Sequence, residues 1–237
     1  MNKPFRFKEF TIHQDRCAMK VGTDGVLLGA WVSLDKNPNS ILDIGAGTGL
    51  IALQLAQRSQ AEIIDAIELD ENAYEQCVEN FEASPWGDRL FCYHAGLDEF
   101  VDEIEDTYDL IVSNPPFYVE EVSSGDATRD LARQNSSLPF PELFEGASRL
   151  LSESGTFAVI APSVSEKELI GLAIALGFFA NRITRVRGNG DAEIKRSLME
   201  FSWNEGGPII TELTIEHERH VYTKDYIELT KAFYLKM

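Results

Sequence analysis

Cysteine is scarce in this 237-residue chain, long apolar runs are missing, and 21 basic residues stand against 39 acidic ones. The three cysteines, Cys17, Cys77 and Cys92, are odd in number, widely spaced and contain no C-x-x-C pair. That argues against a disulfide framework or a cysteine-based zinc site and fits a reducing compartment. No segment approaches the ~20 apolar residues of a membrane-spanning helix, and Met1–Arg6 lacks the apolar stretch of a secretion signal. The expectation is a soluble cytoplasmic protein with no membrane and no metal, long enough to bury its own core.

The shortage of base gives a net charge of −18, which on its face argues against a nucleic-acid partner. The distribution of the charge weakens that objection. Residues 61–110 hold 16 of the acids and one arginine, so the rest of the chain is close to neutral and can carry basic patches. Residues 1–22 are mildly basic, with Lys3, Arg6, Lys8, Arg16 and Lys20 against Glu9 and Asp15.

What is plentiful is alternation. Strands are expected near 40–45, 62–68, 89–95, 108–113, 155–161, 179–187 and 197–204, with helices near 49–58, 71–83, 139–152 and 164–176. Thr23 and Asp24 are read as N-cap residues for an apolar helix over Val26–Trp31, and Gly177 as a C-cap. Such alternation predicts an α/β fold, a doubly wound, mostly parallel seven-stranded sheet with helices on both faces. Residues 1–22 form an arm or short hairpin. Residues 205–237 form a C-terminal addition, with a strand-like Ile209–Ile215 and a helical Tyr226–Phe233 stripe that serves core packing. A single domain is expected, and a monomer is favoured.

The first strand runs into Leu42-Asp43-Ile44-Gly45-Ala46-Gly47-Thr48-Gly49, followed by the apolar helical run Leu50–Ala56. Glycines spaced by two permit positive φ and close approach of a ligand, and the new helix N-terminus offers N–H groups there. Dinucleotide enzymes show G-x-G-x-x-G, whereas this turn reads D-x-G-x-G-x-G. Asp43 would repel a pyrophosphate but suits the cationic amino-acid end of S-adenosylmethionine. Glu68 ends the next strand 19 residues after Gly49, a spacing that suits a carboxylate accepting both ribose hydroxyls. Gly45, Gly47 and Gly49 with Asp43 and Glu68 therefore point to S-adenosylmethionine as cofactor.

The strand Tyr108–Ser113 delivers Asn114-Pro115-Pro116-Phe117 to the carboxyl end of the sheet, where α/β folds bind ligands. The Asn114 side-chain oxygen and the Pro115 carbonyl can accept both protons of one planar amine, exposing its lone pair to a methyl donor. Pro115 and Pro116 stiffen the backbone that presents these acceptors, and Phe117 can stack on the ring bearing the amine.

Asp43–Gly49 with Asn114–Phe117 resembles the amino-group methyltransferases that use S-adenosylmethionine. These include adenine-N6 and guanine-N2 enzymes and the glutamine methyltransferases of release factors. The longer stretches Phe10–Trp31 and Tyr222–Leu235 are similar to the tRNA1(Val) adenine-N6 methyltransferase family, so the likeness spans nearly the whole chain. The resemblance implies in-line methylation of adenine 37 in a valine tRNA, without metal or covalent intermediate. It also implies that Lys20, Gly22, Thr23 and Asp24 close over the methionine end of the cofactor and that Glu68 holds the ribose. Leu69 and Leu97 supply apolar contact to the cofactor. Related enzymes place an Asp after the third strand, where this chain has His94-Ala95-Gly96-Leu97-Asp98. If Gly96 takes that position a hydrogen bond is lost, and Asp98 or Asp70 is left to compensate.

RNA-backbone candidates are Arg129 and Arg133 in the polar segment after the motif, and Arg182, Arg185, Arg187, Lys195 and Arg196 around Gly188-Asn189-Gly190. Scattered surface charge is the competing account of the second group. His13 and His94 are assigned packing or surface roles. The rival functions are guanine-N2 methylation of ribosomal RNA, glutamine methylation of protein, and a non-catalytic RNA-binding or assembly factor.

Overall fold

A computed structural model describes residues 3–116 and 138–237. Its centre is an eight-stranded sheet in the order β10-β8-β9-β7-β6-β3-β4-β5. These strands are β3 (Ser40–Ile44), β4 (Ile63–Glu68), β5 (Leu90–His94), β6 (Tyr108–Ser113), β7 (Leu151–Pro162), β8 (Phe179–Arg187), β9 (Ile194–Ser202) and β10 (Ile209–Thr214). β9 runs antiparallel to both neighbours, and the other ladders are parallel. The expected fold class holds, with one correction. Ile209–Thr214 is not an appendage but an eighth strand, paired parallel to β8 at the sheet edge.

Side chains alternate between the faces of the sheet, as the period of two requires. Ile41, Ile64, Leu110, Val112 and Ile160 face a core with α1 (Thr23–Trp31), α2 (Leu50–Arg58), α3 (Glu71–Glu82) and α7 (Lys224–Thr230). Leu42, Ile44, Ile111, Phe157 and Met199 face a second core with α4 (Leu97–Glu103), α5 (Phe140–Leu150) and α6 (Glu166–Ala175). Buried on both faces, the central strands read as near-continuous apolar runs. α4 is not legible in the sequence because its apolar positions, Leu97, Phe100 and Val101, cover one turn among acids.

Local chemistry sets the helix ends. Asp70 caps α3 by accepting the Ala73 N–H, and Thr223 caps α7 by accepting that of Tyr226. Gly177, at φ +84°, ends α6 with the paired bonds Phe178 N–H to Ala173 O and Gly177 N–H to Ile174 O. α1 departs from expectation: Gly22 is its N-cap, and Thr23 and Asp24 lie in the first turn. The arm forms the hairpin β1 (Phe5–Arg6) with β2 (Thr11–Ile12), and a second small hairpin, β11 (Glu216–Glu218) with β12 (Val221–Tyr222), precedes α7. Tyr226, Thr230 and Phe233 are buried in the core, as the stripe predicted.

One polar cross-link fastens α1 to the sheet. The β8–β9 register places Arg182 opposite Glu200. The guanidinium donates through Nε (2.9 Å) and Nη2 (2.6 Å) to that carboxylate, donates to the Trp31 carbonyl (2.8 Å), and lies 3.8 Å over the Trp31 ring. Glu200 also accepts the Ser33 N–H at 2.7 Å, and its side chain is 8% exposed. Removing the cation would leave a buried carboxylate without its partner. Arg182→Ala should therefore cost on the order of 3 kcal/mol in urea unfolding. A loss under about 0.5 kcal/mol, the size of a surface change, would show that the cross-link is dispensable.

Candidate active site

Gly45, Gly47 and Gly49 all adopt positive φ, +73°, +57° and +78°. A Cβ at Gly49 would stand 2.5 Å from the Phe81 ring and 2.8 Å from Cys77 Sγ, so this glycine lets α3 pack against the turn. Beside Gly45 there is open space within 4 Å, where a ligand can approach the backbone.

The N–H groups of this turn are largely engaged within the protein. Those of Gly45 and Ala46 donate to the Ile67 carbonyl at 3.0 Å, and that of Gly47 donates to Glu68 Oε2 at 2.8 Å. Asp43 Oδ2 accepts the Ala52 N–H at 3.1 Å, the capping bond that Gly49, the N-cap of α2, cannot supply itself. The expectation concerns the N–H groups at the start of α2, of which that of Ala52 is taken by Asp43, while those of Gly45, Ala46 and Gly47 are bonded within the protein. The turn is lined by two carboxylates instead, which disfavours a phosphate and suits a cationic, hydroxyl-bearing ligand.

Asp43 is buried, and its Oδ1 has no hydrogen-bond partner. Burial pushes its carboxyl up to about 7; the Ala52 N–H pulls it down and the Glu68 charge pushes it further up. Glu68, half-buried, uses Oε1 to accept the Asp70 N–H at 2.9 Å, so it ties the turn to the start of α3. Each of its oxygens keeps a lone pair for another donor.

The opposite wall is the end of β6. Ser113 Oγ donates to the Ile44 carbonyl at 2.9 Å, locking together the ends of β3 and β6 where the strand order switches. Asn114 follows at once, half-buried, and Pro115 is buried. A Cβ at Gly25 would lie 3.7 Å from Asn114 Nδ2, so the first turn of α1 borders the same cleft. Gly22 and Thr23 are exposed at that end, while Asp24 is joined to Arg196 at 2.8 Å. Phe117, Arg129 and Arg133 lie outside the described residues.

The arm forms a third wall, held by two polar residues of α3 whose part the sequence does not disclose. Asn80 Nδ2 donates to the His13 and Thr48 carbonyls, both at 2.9 Å, and Asn80 Oδ1 accepts the His13 N–H at 2.8 Å. Gln76 Oε1 accepts the N–H groups of Asp15 and Arg16 at 3.1 Å, and Arg16 is paired with Glu75 and Glu79. Cys17 is thereby brought to 3.9 Å from where a Cβ of Gly47 would be, and burial raises its thiol to about 11. Lys20 is exposed at the end of this strap.

Beyond Glu68, Leu69 stands 55% exposed, whereas Leu97 is buried against Gly146 of α5. The Leu97 side chain is thus core, leaving Leu69 as the apolar surface there. Gly96 has φ −73°, and the space of its missing Cβ lies 2.8 Å from Asp98 Oδ1. Asp70 is occupied as a cap, so Asp98 is the acid nearest the gap. His94 packs against Tyr74, ring centroids 5.2 Å apart, with Nε2 3.0 Å from the Leu69 carbonyl, and His13 is exposed.

The basic cluster of β8 and β9 is largely drawn into ion pairs. Besides Arg182 with Glu200, Arg185 pairs with Glu166 (2.7 Å), Arg187 with Glu212 and Arg196 with Asp24 (2.8 Å). Lys195 is exposed and forms no ion pair among the described residues. Four of the five cations are thus neutralised by carboxylates that only the folded register brings close.

The methyltransferase small domain family matches residues 26–179. Among solved structures, a predicted O-methyltransferase from Agrobacterium tumefaciens superposes with a TM-score of 0.70 at 19% identity, covering 89% of this chain and 96% of that one. The ribosomal protein L11 methylase of Lactobacillus delbrueckii superposes at 0.53 and 15% identity, covering 75% and 76%. These likenesses establish the fold. Full-length relatives are far nearer. The tRNA1(Val) (adenine(37)-N6)-methyltransferase of Flavobacterium johnsoniae is 62% identical over 98% of this chain and all of that protein. Those of Christiangramia forsetii, 58% over 100% and 99%, and Bacteroides fragilis, 42% over 100% of both, carry the same name. The chain belongs to the tRNA1(Val) (adenine(37)-N6)-methyltransferase family.

Proposed function

We propose that the protein transfers a methyl group from S-adenosylmethionine to the N6 amine of adenine 37 in a valine tRNA. The observation that carries this proposal is one cleft with two carboxylates on a glycine turn at one wall and Asn114-Pro115 at the other. The cofactor supplies an activated methyl on a cationic sulfur. The residues present fit it. Asp43 Oδ1 is a buried acceptor without a donor, which an ammonium group would complete, directly or through water. Glu68 accepts the ribose hydroxyls with the lone pairs left by Gly47 and Asp70, and Leu69 covers the cofactor's adenine from one side. Asp98, across the gap at Gly96, is the acceptor for the adenine amine. Lys20, Gly22 and Thr23 flank the methionine end, and Asp24 keeps α1 in place through Arg196.

For the acceptor base, Asn114 Oδ1 and the Pro115 carbonyl take the two amine protons. Both acceptors follow a strand end that Ser113 fastens to Ile44, so they are preorganised. Phe117 stacks on the base, and no histidine is needed to remove a proton before transfer. In this role the enzyme works in the cytoplasm on its tRNA.

These roles can be separated by mutation and by pH. Asn114→Ala should bind cofactor and tRNA nearly as the wild type does yet form N6-methyladenosine ~10²–10³-fold more slowly in single-turnover assays. Full activity in that variant would sink the assigned mechanism. Asp43 titrates near 7 when folded and near 4 when unfolded, so between those values the folded state holds a proton that the unfolded chain does not. Its contribution to stability is complete below about pH 4 and is lost as pH rises through about 7. In urea unfolding at pH 5 and pH 8 without cofactor, wild type should lose more stability than Asp43→Asn. Equal losses would mean that Asp43 is already ionised in the folded chain.

A further inference from the structure

A cavity of ≈ 760 Å³ shares the start of α1 with the catalytic cleft. Its walls come from three parts of the chain: the arm, the turn between β8 and β9, and the C-terminal segment. Gly22 and Thr23 line it, and Gly25, only three residues on, borders Asn114.

The lining is aromatic. Phe5, Tyr222 and Tyr234 are half-buried and Tyr226 is buried, with Tyr222 and Tyr226 rings 5.3 Å apart and Phe5 edge-on to Tyr234 at 6.2 Å. Tyr226 is part of the buried core and Tyr234 packs against it, so these rings are anchored and present apolar surface. Arg6 and Lys236 stand exposed at the rim. Neither forms an ion pair among the described residues, unlike the four paired arginines of β8 and β9. The acid in the lining, Glu216, accepts the His220 N–H at 3.2 Å and so serves its own hairpin.

We infer that this cavity receives an unstacked nucleotide of the tRNA loop beside the methylated adenine, an inference that rests on tRNA being the substrate. Its base lies against Tyr222 and Phe5, and its phosphate meets Lys236 and Arg6. Aromatic faces with flanking cations are the combination that holds single-stranded RNA, because every base has a π-face and every phosphate a charge. A protein of net charge −18 can take RNA only where cations remain unpaired, and this rim is such a place.

The test is filter binding of an unmodified valine tRNA transcript to wild type, Tyr222→Ala, Tyr222→Phe and Lys236→Glu across a salt series. Methyl transfer to adenine by wild type and calorimetric affinity for S-adenosylhomocysteine are measured in parallel. Tyr222→Ala should weaken tRNA binding roughly tenfold and Tyr222→Phe should restore it, with cofactor affinity unchanged in both. Lys236→Glu, at an exposed position and harmless to folding, should weaken binding and lower the salt slope by about one. If wild type methylates adenine but Tyr222→Ala and Lys236→Glu bind tRNA as tightly as it does, the cavity is not an RNA site. A phenylalanine variant as weak as the alanine one would overturn stacking. If wild type leaves adenine unmethylated while the variants still lose tRNA binding, the proposed function falls and the RNA site stands.

Discussion

Everything at the carboxyl end of this sheet depends on holding a turn of three left-handed glycines in one shape. Such a turn has little conformational preference of its own, since glycine visits either sign of φ. The protein fixes it from outside: the Ile67 carbonyl takes two N–H groups, Glu68 a third, Asp43 caps the helix that follows, and Asn80 ties down Thr48. Because carboxylates hold it, the turn carries negative rather than positive potential. The same glycine geometry that serves a pyrophosphate elsewhere is here turned towards a cation, and the choice of cofactor follows from that change of sign.

Electrostatics also organises the rest of the molecule. The strongly acidic stretch 61–110 contains α3 and α4 with the strands between and beside them. Its acids are not all solvent-facing: Glu75 and Glu79 hold the arm through Arg16, and Asp70 caps α3. On β8 and β9 the arginines are bound to carboxylates, one of them stacked on Trp31, and serve cohesion. In the proposed reading, fold and substrate recognition draw on different cations. The paired ones tie β8 and β9 to each other, to β10 and to two helices, and in that reading the exposed ones around the arm and the C-terminal segment are the ones that meet phosphate.

The sequence makes the strand-turn-helix unit legible because its signals are local: an apolar run, glycines at fixed spacing, then a helical period. The same is true of the Gly177 cap and of the proline motif after β6. What is not legible depends on pairing across the chain. Nothing near Arg182 announces Glu200 or Trp31, which the register and a contact 151 residues away supply. Asn80 and Gln76 read as ordinary polar positions on an acidic helix, yet they hold the arm against the turn. β10 is visible as a strand, but its place at the sheet edge is set by tertiary pairing. Leu97 shows how a residue next to a binding site can turn its side chain the other way, into the gap that Gly146 leaves in α5.

The central claim is the identity of the acceptor atom. Purified enzyme, methyl-labelled S-adenosylmethionine and total tRNA from a strain lacking this enzyme can be incubated together, and the RNA digested to nucleosides. The expected result is label in N6-methyladenosine, recovered from a valine tRNA at the position after the anticodon. Label in N2-methylguanosine, in protein glutamine, or in no product at all would contradict it.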